Sequence, residues 1–184
     1  GRHFVYGLCE SAKEEVKKAH DVANPGCFAT AIQLAALPLA AAGLINDEIH
    51  VTAITGSTGA GKKPVETTHF SYRSDNISIY KLFSHQHLAE IRMNLGRTMS
   101  AQSSTEAHDG IKVNFVPLRG DFARGIFASV YTKAVEGMTQ EDYRKLYEDY
   151  YAASPFVFHS NEGISMKEVV NTNKGLVHVE LHDG

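Results

Sequence analysis

The run from Phe28 to Ala42 carries only Thr30 and Gln33 as polar side chains, so it has no face to offer to water. A helix apolar all round must lie inside the fold with other elements packed about it, and the rest of the chain has to be arranged around that one. Gly43 supplies a stop at its far end. At its near end stands Asn24-Pro25-Gly26-Cys27. Pro25-Gly26 lets the backbone turn sharply and come close to a ligand. Cys27 then falls at the helix mouth, where unpaired N–H groups and the positive dipole end favour a thiolate. The competing reading of any single free cysteine is a small buried hydrophobe.

Two further segments carry chemistry. The strand expected at 48–55 runs into Gly56-Ser57-Thr58-Gly59-Ala60-Gly61-Lys62-Lys63. Such a loop can offer backbone N–H groups to an anion, with lysines adding charge. It misses a P-loop at Lys63, where a hydroxyl should hold Mg²⁺, and Pro64 follows where a helix should start. The stretch beyond, with Thr67, Thr68, Phe70 and Tyr72, has no helical period. The other segment is His85-Gln86-His87-Leu88-Ala89-Glu90-Ile91. An extended entry would aim both imidazoles into one site, and Glu90 follows His87 at helical spacing, near enough to orient its ring. A metal reading of the two histidines with Cys27 lacks a second Cys or His motif at zinc spacing, so no metal is expected.

The elements point to an α+β fold, with one mixed or antiparallel sheet and helices on one face. Ser11 and Glu14 are spaced as a capping box for a helix reaching about His20. A helix is expected over about Leu88–Met99, a polar loop over Gln102–Gly110, and a helix capped by Thr139 that ends near Ala152. Expected extended segments are 76–82, Ile111–Val116, Gly125–Ala134, Phe156–His159, Lys167–Val170 and Leu176–His182, the last three completing the sheet. At 184 residues and 43% hydrophobic content the chain suits a single domain, 1–184, with one core. A net charge of −3 gives no basic field for nucleic acid or an acidic membrane. Two cysteines make no disulfide framework, which suits a reducing cytoplasm, and the apolar helix is too short to span a bilayer.

Together the segments resemble a known family. The block V-A-N-P-G-C-F-A-T-A from Val22, the G-S-T-G-A-G-K loop from Gly56, the H-x-H-x-x-E-I element and the earlier Tyr6-Gly7-Leu8 with Glu10 are similar, in order and spacing, to the N-acetyl-γ-glutamyl-phosphate reductases of arginine biosynthesis. Val116-Pro117, Arg124-Gly125, Ser154-Pro155-Phe156-Val157 and Asn173 extend the likeness over nearly the whole chain. The chain departs from the family pattern at Cys9 and Ala89, where proline is usual, and at Ser84, where glycine often stands. None of these touches the thiol, the histidines or the acid, but they leave the acyl group on the substrate amine open.

The resemblance implies the C-terminal fold of the glyceraldehyde-3-phosphate dehydrogenase type, with the outer sheet face making homo-oligomer contacts as a dimer or tetramer. It also implies NADPH as hydride donor. No G-x-G-x-x-G occurs in these residues, so the expectation is an excised catalytic and dimerisation domain whose cofactor half lies elsewhere. On this reading Cys27 attacks an acyl phosphate to form a thioester, and a histidine moves the proton, His87 first and His85 second, with Glu90 as orienting acid. Arg73 and Arg124, able to hold carboxylate or phosphate bidentately, and Asn24 beside the thiol are the substrate-binding candidates. Ser57, Gly59 and Gly61, with Lys62, are the candidates for the phosphate or nicotinamide end. The alternatives are a semialdehyde dehydrogenase for another acidic amino-acid phosphate, such as aspartyl or aminoadipyl phosphate, or a module that only dimerises.

Overall fold

Helix α2, Cys27–Ala41, is the axle of the molecule, as its composition requires. Phe28, Ile32, Leu37 and Ala40 are buried on it, and the helix stops at Ala42 ahead of Gly43, which takes the left-handed φ of 68°. The computed structural model describes residues 1–101 and 110–183. The loop expected at Gln102–Gly110 lies, except for Gly110, outside the described residues.

Pro38 sits inside α2 and has no N–H to give to the carbonyl of Leu34. The Tyr151 hydroxyl donates to that carbonyl, and the Tyr147 hydroxyl donates to the carbonyl of Ala35. Both tyrosines lie on helix α5, Gln140–Tyr151, whose buried face repeats at Tyr143, Tyr147 and Tyr151. The proline therefore costs little, because the neighbouring helix replaces the missing donor. As expected, Thr139 caps α5; its hydroxyl accepts from the Asp142 N–H, and the Asp142 carboxylate accepts the Thr139 N–H.

Two strands, β1 Val5–Tyr6 and β2 Val22–Ala23, pair in parallel on either side of helix α1, Cys9–Lys18. Strand β3, Ile49–Thr55, is the centre of a mixed sheet that also contains β4 Ser78–Ile79, β5 Val113–Arg119 and β6 Ile126–Tyr131. The order is β4-β5-β3-β6, with β3 parallel to β5 and every other pair antiparallel. Alternation decides the faces. Ile49, Val51, Ala53, Val113 and Phe115 turn inward, where they meet α2 and helix α4, His87–Ser100. His50, Thr52, Ile54, Val116, Leu118, Phe127 and Tyr131 point the other way, and Tyr131 stacks on His50 with ring centroids 5.6 Å apart. The α+β architecture with helices on one sheet face is therefore as the sequence indicates.

Several local expectations fail. Ser11 lies inside α1 and its hydroxyl donates back to the carbonyl of Leu8, the N-cap, so there is no capping box. The expected strand at Lys167–Val170 is replaced by a 3₁₀ turn, Met166–Glu168, capped by Ser165. Strands β7, Val157–Ser160, and β8, Gly175–His178, form their own parallel pair and do not join the main sheet. The stretch after Pro64 holds a 3₁₀ turn, Glu66–Thr68, and the short helix α3, Phe70–Arg73. Only Ser78–Ile79 of the segment 76–82 pairs as strand.

Candidate active site

Cys27 is the first residue of α2 and is exposed, so its sulfur stands at the dipole's positive end and is open to a reactant. Gly26, the N-cap, has no side chain to satisfy the helix start. Its N–H instead donates to Glu90 Oε2 at 3.0 Å. Glu90 Oε1 faces His87 Nε2 at 3.9 Å, and both groups press on Gly26: a Cβ there would lie 2.3 Å from His87 Nε2 and 2.6 Å from Glu90 Oε1. Glycine is thus the one residue that lets the start of α2 rest on the acid–imidazole pair. Gly26→Ala must push that pair aside, and a loss of roughly tenfold or more in kcat is expected, with the protein still folded by circular dichroism.

The two histidines come together, though not by the expected route. Gln86 between them is helical, with φ −58° and ψ −26°, so the entry is not extended. The rings nonetheless meet edge to face at 4.5 Å. His85 is delivered by a tight loop in which Lys81 and Phe83 take left-handed φ values of 48° and 52°. It is 5% exposed, packs edge-on to Phe28 and Phe115, and accepts the His87 N–H on Nδ1 at 3.2 Å. Burial, helped by His87 and Lys81, pushes its imidazole down to about 4, so it is neutral at pH 7. His87 is also drawn below the usual histidine value by burial, while Glu90 pulls it back up and Lys81 opposes. A neutral imidazole one residue from the thiol suits a general base.

On the open side of Cys27 lies a cavity of about 630 Å³. Thr30, Met166 and Asn173 line it together with the cations Arg124 and Lys174, and among the described residues no carboxylate side chain faces it. That charge balance suits an anionic ligand. Neither His85 nor His87 is among the residues that line the cavity.

The other candidates are placed as follows. Arg124 is exposed and lines the same cavity as Cys27. Asn24 is exposed next to the thiol loop and donates to the adjacent carbonyl of Pro25 at 3.3 Å. Arg73 is not brought to the cluster: it is 5% exposed and donates to the Arg119 carbonyl at 2.7 Å and to Ser78 Oγ at 2.9 Å, tying α3 to the sheet edge. The glycine loop is a 3₁₀ turn, Ser57–Ala60, whose donors are mostly committed. Gly56, Ser57 and Thr58 give their N–H groups to the carbonyls of Gly125, Phe122 and Ala123, and Gly61 gives its own to Thr58. Ser57, Gly59, Gly61 and Lys62 do not line the cavity; the loop instead anchors the segment that carries Arg124.

Sequence reasoning missed two side chains around the cluster. Tyr6 donates its hydroxyl to Glu90 Oε2 at 2.9 Å, a contact across the fold that no spacing announces. Tyr80 lies within electrostatic reach of the Cys27 sulfur; burial raises its phenol above the usual value, and Arg119, stacked 4.5 Å over its ring, opposes that rise.

Residues 27–184 match the family described as semialdehyde dehydrogenase, dimerisation domain. Among curated proteins, the N-acetyl-gamma-glutamyl-phosphate reductase of Azobacteroides pseudotrichonymphae genomovar. CFP2 is 49% identical over 179 residues, covering 97% of this chain and 52% of that protein. The reductase of the same name from Phocaeicola vulgatus is 50% identical over 179 residues, covering 97% of this chain and 53% of its own length. This chain thus spans about half the length of the curated relatives it matches. Among solved structures, aspartate semialdehyde dehydrogenase from Francisella tularensis superposes with a TM-score of 0.69 at 10% identity, over 97% of this chain and 61% of that one. Aspartate semialdehyde dehydrogenase II from Vibrio cholerae does so with a TM-score of 0.61 at 17% identity, over 95% and 57%. At such identities these two establish the fold alone, and the family match carries the assignment: the chain belongs to the semialdehyde dehydrogenase dimerisation-domain family.

Proposed function

We propose that residues 1–184 form the catalytic and dimerisation domain of an N-acetyl-γ-glutamyl-phosphate reductase, an oxidoreductase of arginine biosynthesis in the cytoplasm. The observation that carries this reading is the exposed Cys27 at the start of α2 with His87 and Glu90 against Gly26, in a chain about half identical to reductases of that name. The Cys27 thiol gives its proton to neutral His87, and the sulfur adds to the γ-carbonyl carbon of the acyl phosphate. The carbon–oxygen bond to phosphate breaks, inorganic phosphate leaves with the electron pair, and a thioester remains on Cys27. Arg124 and Lys174 neutralise the substrate's anionic groups in the cavity. His87, now protonated, is placed to protonate the oxyanion of a tetrahedral adduct on Cys27 and to take that proton back when the carbon–sulfur bond breaks. Turning that thioester into a semialdehyde would take a hydride, the two-electron chemistry that NADPH would supply when bound. With the N–H groups of Gly56, Ser57, Thr58 and Gly61 given to carbonyls, the glycine loop keeps few donors for a pyrophosphate, and we assign cofactor binding to a separate dinucleotide-binding domain.

The family's description supports assembly with further copies of the chain, and we place the contact on the outer sheet face, where Phe127 and Tyr131 stand exposed. No helix among the described residues is long and apolar enough to cross a membrane. The function is tested by presenting the full-length protein with N-acetyl-γ-glutamyl, aspartyl and aminoadipyl phosphates while following NADPH absorbance. A preference for the N-acetylglutamyl substrate of about a hundredfold or more in kcat/KM is expected, because a cavity built for a blocked amine leaves polar groups unpaired with the others. Faster turnover of aspartyl phosphate would overturn the substrate assignment.

A further inference from the structure

Behind Glu90 runs a line of hydrogen bonds whose direction is set at one end. Arg97 Nη2 donates to Asn94 Oδ1 at 3.3 Å. An arginine can only donate, so the oxygen of the Asn94 amide must face it and the Asn94 nitrogen must face inward. That nitrogen donates to Gln33 Oε1 at 2.6 Å and to Ser11 Oγ at 3.0 Å. Gln33 Nε2 is thereby turned toward the Ala29 carbonyl, 3.0 Å away, and toward the Tyr6 hydroxyl oxygen at 2.8 Å. With its oxygen receiving Gln33, Tyr6 directs its single hydrogen at Glu90 Oε2. Gln33 and Asn94 are both wholly buried, in the middle of α2 and α4.

We propose that Gln33 and Asn94 are positioning residues: through Tyr6 they lock the Glu90 carboxylate so that Oε2 is held by Tyr6 and Gly26 while Oε1 faces His87. Each donor in the line points toward the carboxylate, and bonds so aligned polarise one another in a low-dielectric interior. Oε2 receives two donors, at 2.9 and 3.0 Å, which fixes the rotation of the group. Oε1 is left to the imidazole at 3.9 Å. A buried amide pair serving packing alone would have no need to end on the acid that faces the proton-transfer ring. The assignment rests on the role given to His87 above.

The test uses the full-length protein with histidine labelled at Cε1, and reads the NMR titration midpoint of His87. The charged and titratable groups facing that ring are Glu90 on its own helix and His85 and Lys81 on the preceding loop, with Cys27 following Gly26, on which the ring presses. Gln33→Met keeps the volume and removes the donor; Asn94→Leu removes the link to Arg97; Tyr6→Phe removes one hydroxyl and is the mildest of the three. Each frees Oε1 to swing away, so the His87 midpoint is expected to fall by about 0.5 pH units or more. Turnover should fall roughly tenfold in kcat with KM within about twofold. Ala36→Gly, buried on α2 outside the line of bonds, should lower the melting temperature and leave the midpoint in place. A midpoint unmoved in Tyr6→Phe and Gln33→Met, or moved as far by Ala36→Gly, overturns the proposal. Where Gln33→Met or Asn94→Leu does not fold, Tyr6→Phe decides. Failure of the proposed function would show as no turnover by the unsubstituted protein, while the titration still reports on the carboxylate.

Discussion

Cys27→Ser in the full-length protein is expected to remove acyl-phosphate reduction altogether, a loss of about a thousandfold or more. A serine hydroxyl at the same place is far less acidic and a far poorer nucleophile, so no covalent acyl adduct forms and phosphate is not released. Phosphate release under single-turnover conditions is the measurement, since it reads the first step apart from hydride transfer. A variant releasing phosphate at near the normal rate would take the nucleophile's role away from Cys27. Labelling of the unsubstituted protein adds an internal control, because Cys9 is also exposed and also opens a helix. A helix start alone would make the two thiols alike. Cys27 has His87 and Glu90 beside it, whereas Cys9 has Glu10 in its first turn and the carbonyl of Gly7 at 4.0 Å. Iodoacetamide is therefore expected to take Cys27 first, and equal rates across pH would mean that the imidazole does not assist.

What could be read from the chain alone follows from the range of the forces involved. The apolar run of α2 and the alternation of β3 are local patterns, and both elements appear where composition puts them. Thr139 and Asp142 satisfy each other within one turn, so that cap was legible too. Ser11 and Glu14 show the same spacing, yet Asn94 and the Leu8 carbonyl hold the Ser11 hydroxyl and the helix starts earlier. Lys167–Val170 carries two valines of high strand propensity, but among the described residues no strand pairs with it and Ser165 caps a turn instead. Arg73 is an arginine near a site in sequence terms only; its guanidinium satisfies a carbonyl and a hydroxyl at the sheet edge. The glycine loop looked like an anion cradle because sequence does not say which carbonyls will claim its N–H groups. The same limit hid Tyr6, whose bond to Glu90 joins residues from opposite ends of the first hundred. That Cys27, His87 and Glu90 would lie together was legible because a cysteine at a helix mouth and an acid one turn from a histidine are themselves local signatures.

His87→Asn is expected to lower kcat by roughly a hundredfold or more with a modest change in substrate binding, the scale for loss of a general acid or base. Two observations support that choice of ring. His87 Nε2 and Glu90 meet at Gly26, next to the thiol, and burial leaves the imidazole neutral at physiological pH but still able to take a proton. His85, at about 4, is held neutral in an aromatic pocket and accepts the His87 N–H on its Nδ1, so His85→Asn should act through packing and cost much less turnover. The pH profile supplies the sign. A base must be unprotonated, so kcat/KM should fall as pH drops through the His87 midpoint, which lies below the ordinary histidine value. Glu90→Gln removes the group that raises that midpoint, so the imidazolium is less stable and the acid limb moves to lower pH, with a smaller loss of kcat than His87→Asn. A crippled His85→Asn beside a nearly normal His87→Asn would transfer the proton-transfer role to His85, and an acid limb moving to higher pH in Glu90→Gln would detach that limb from both imidazoles, because Glu90 raises each of them.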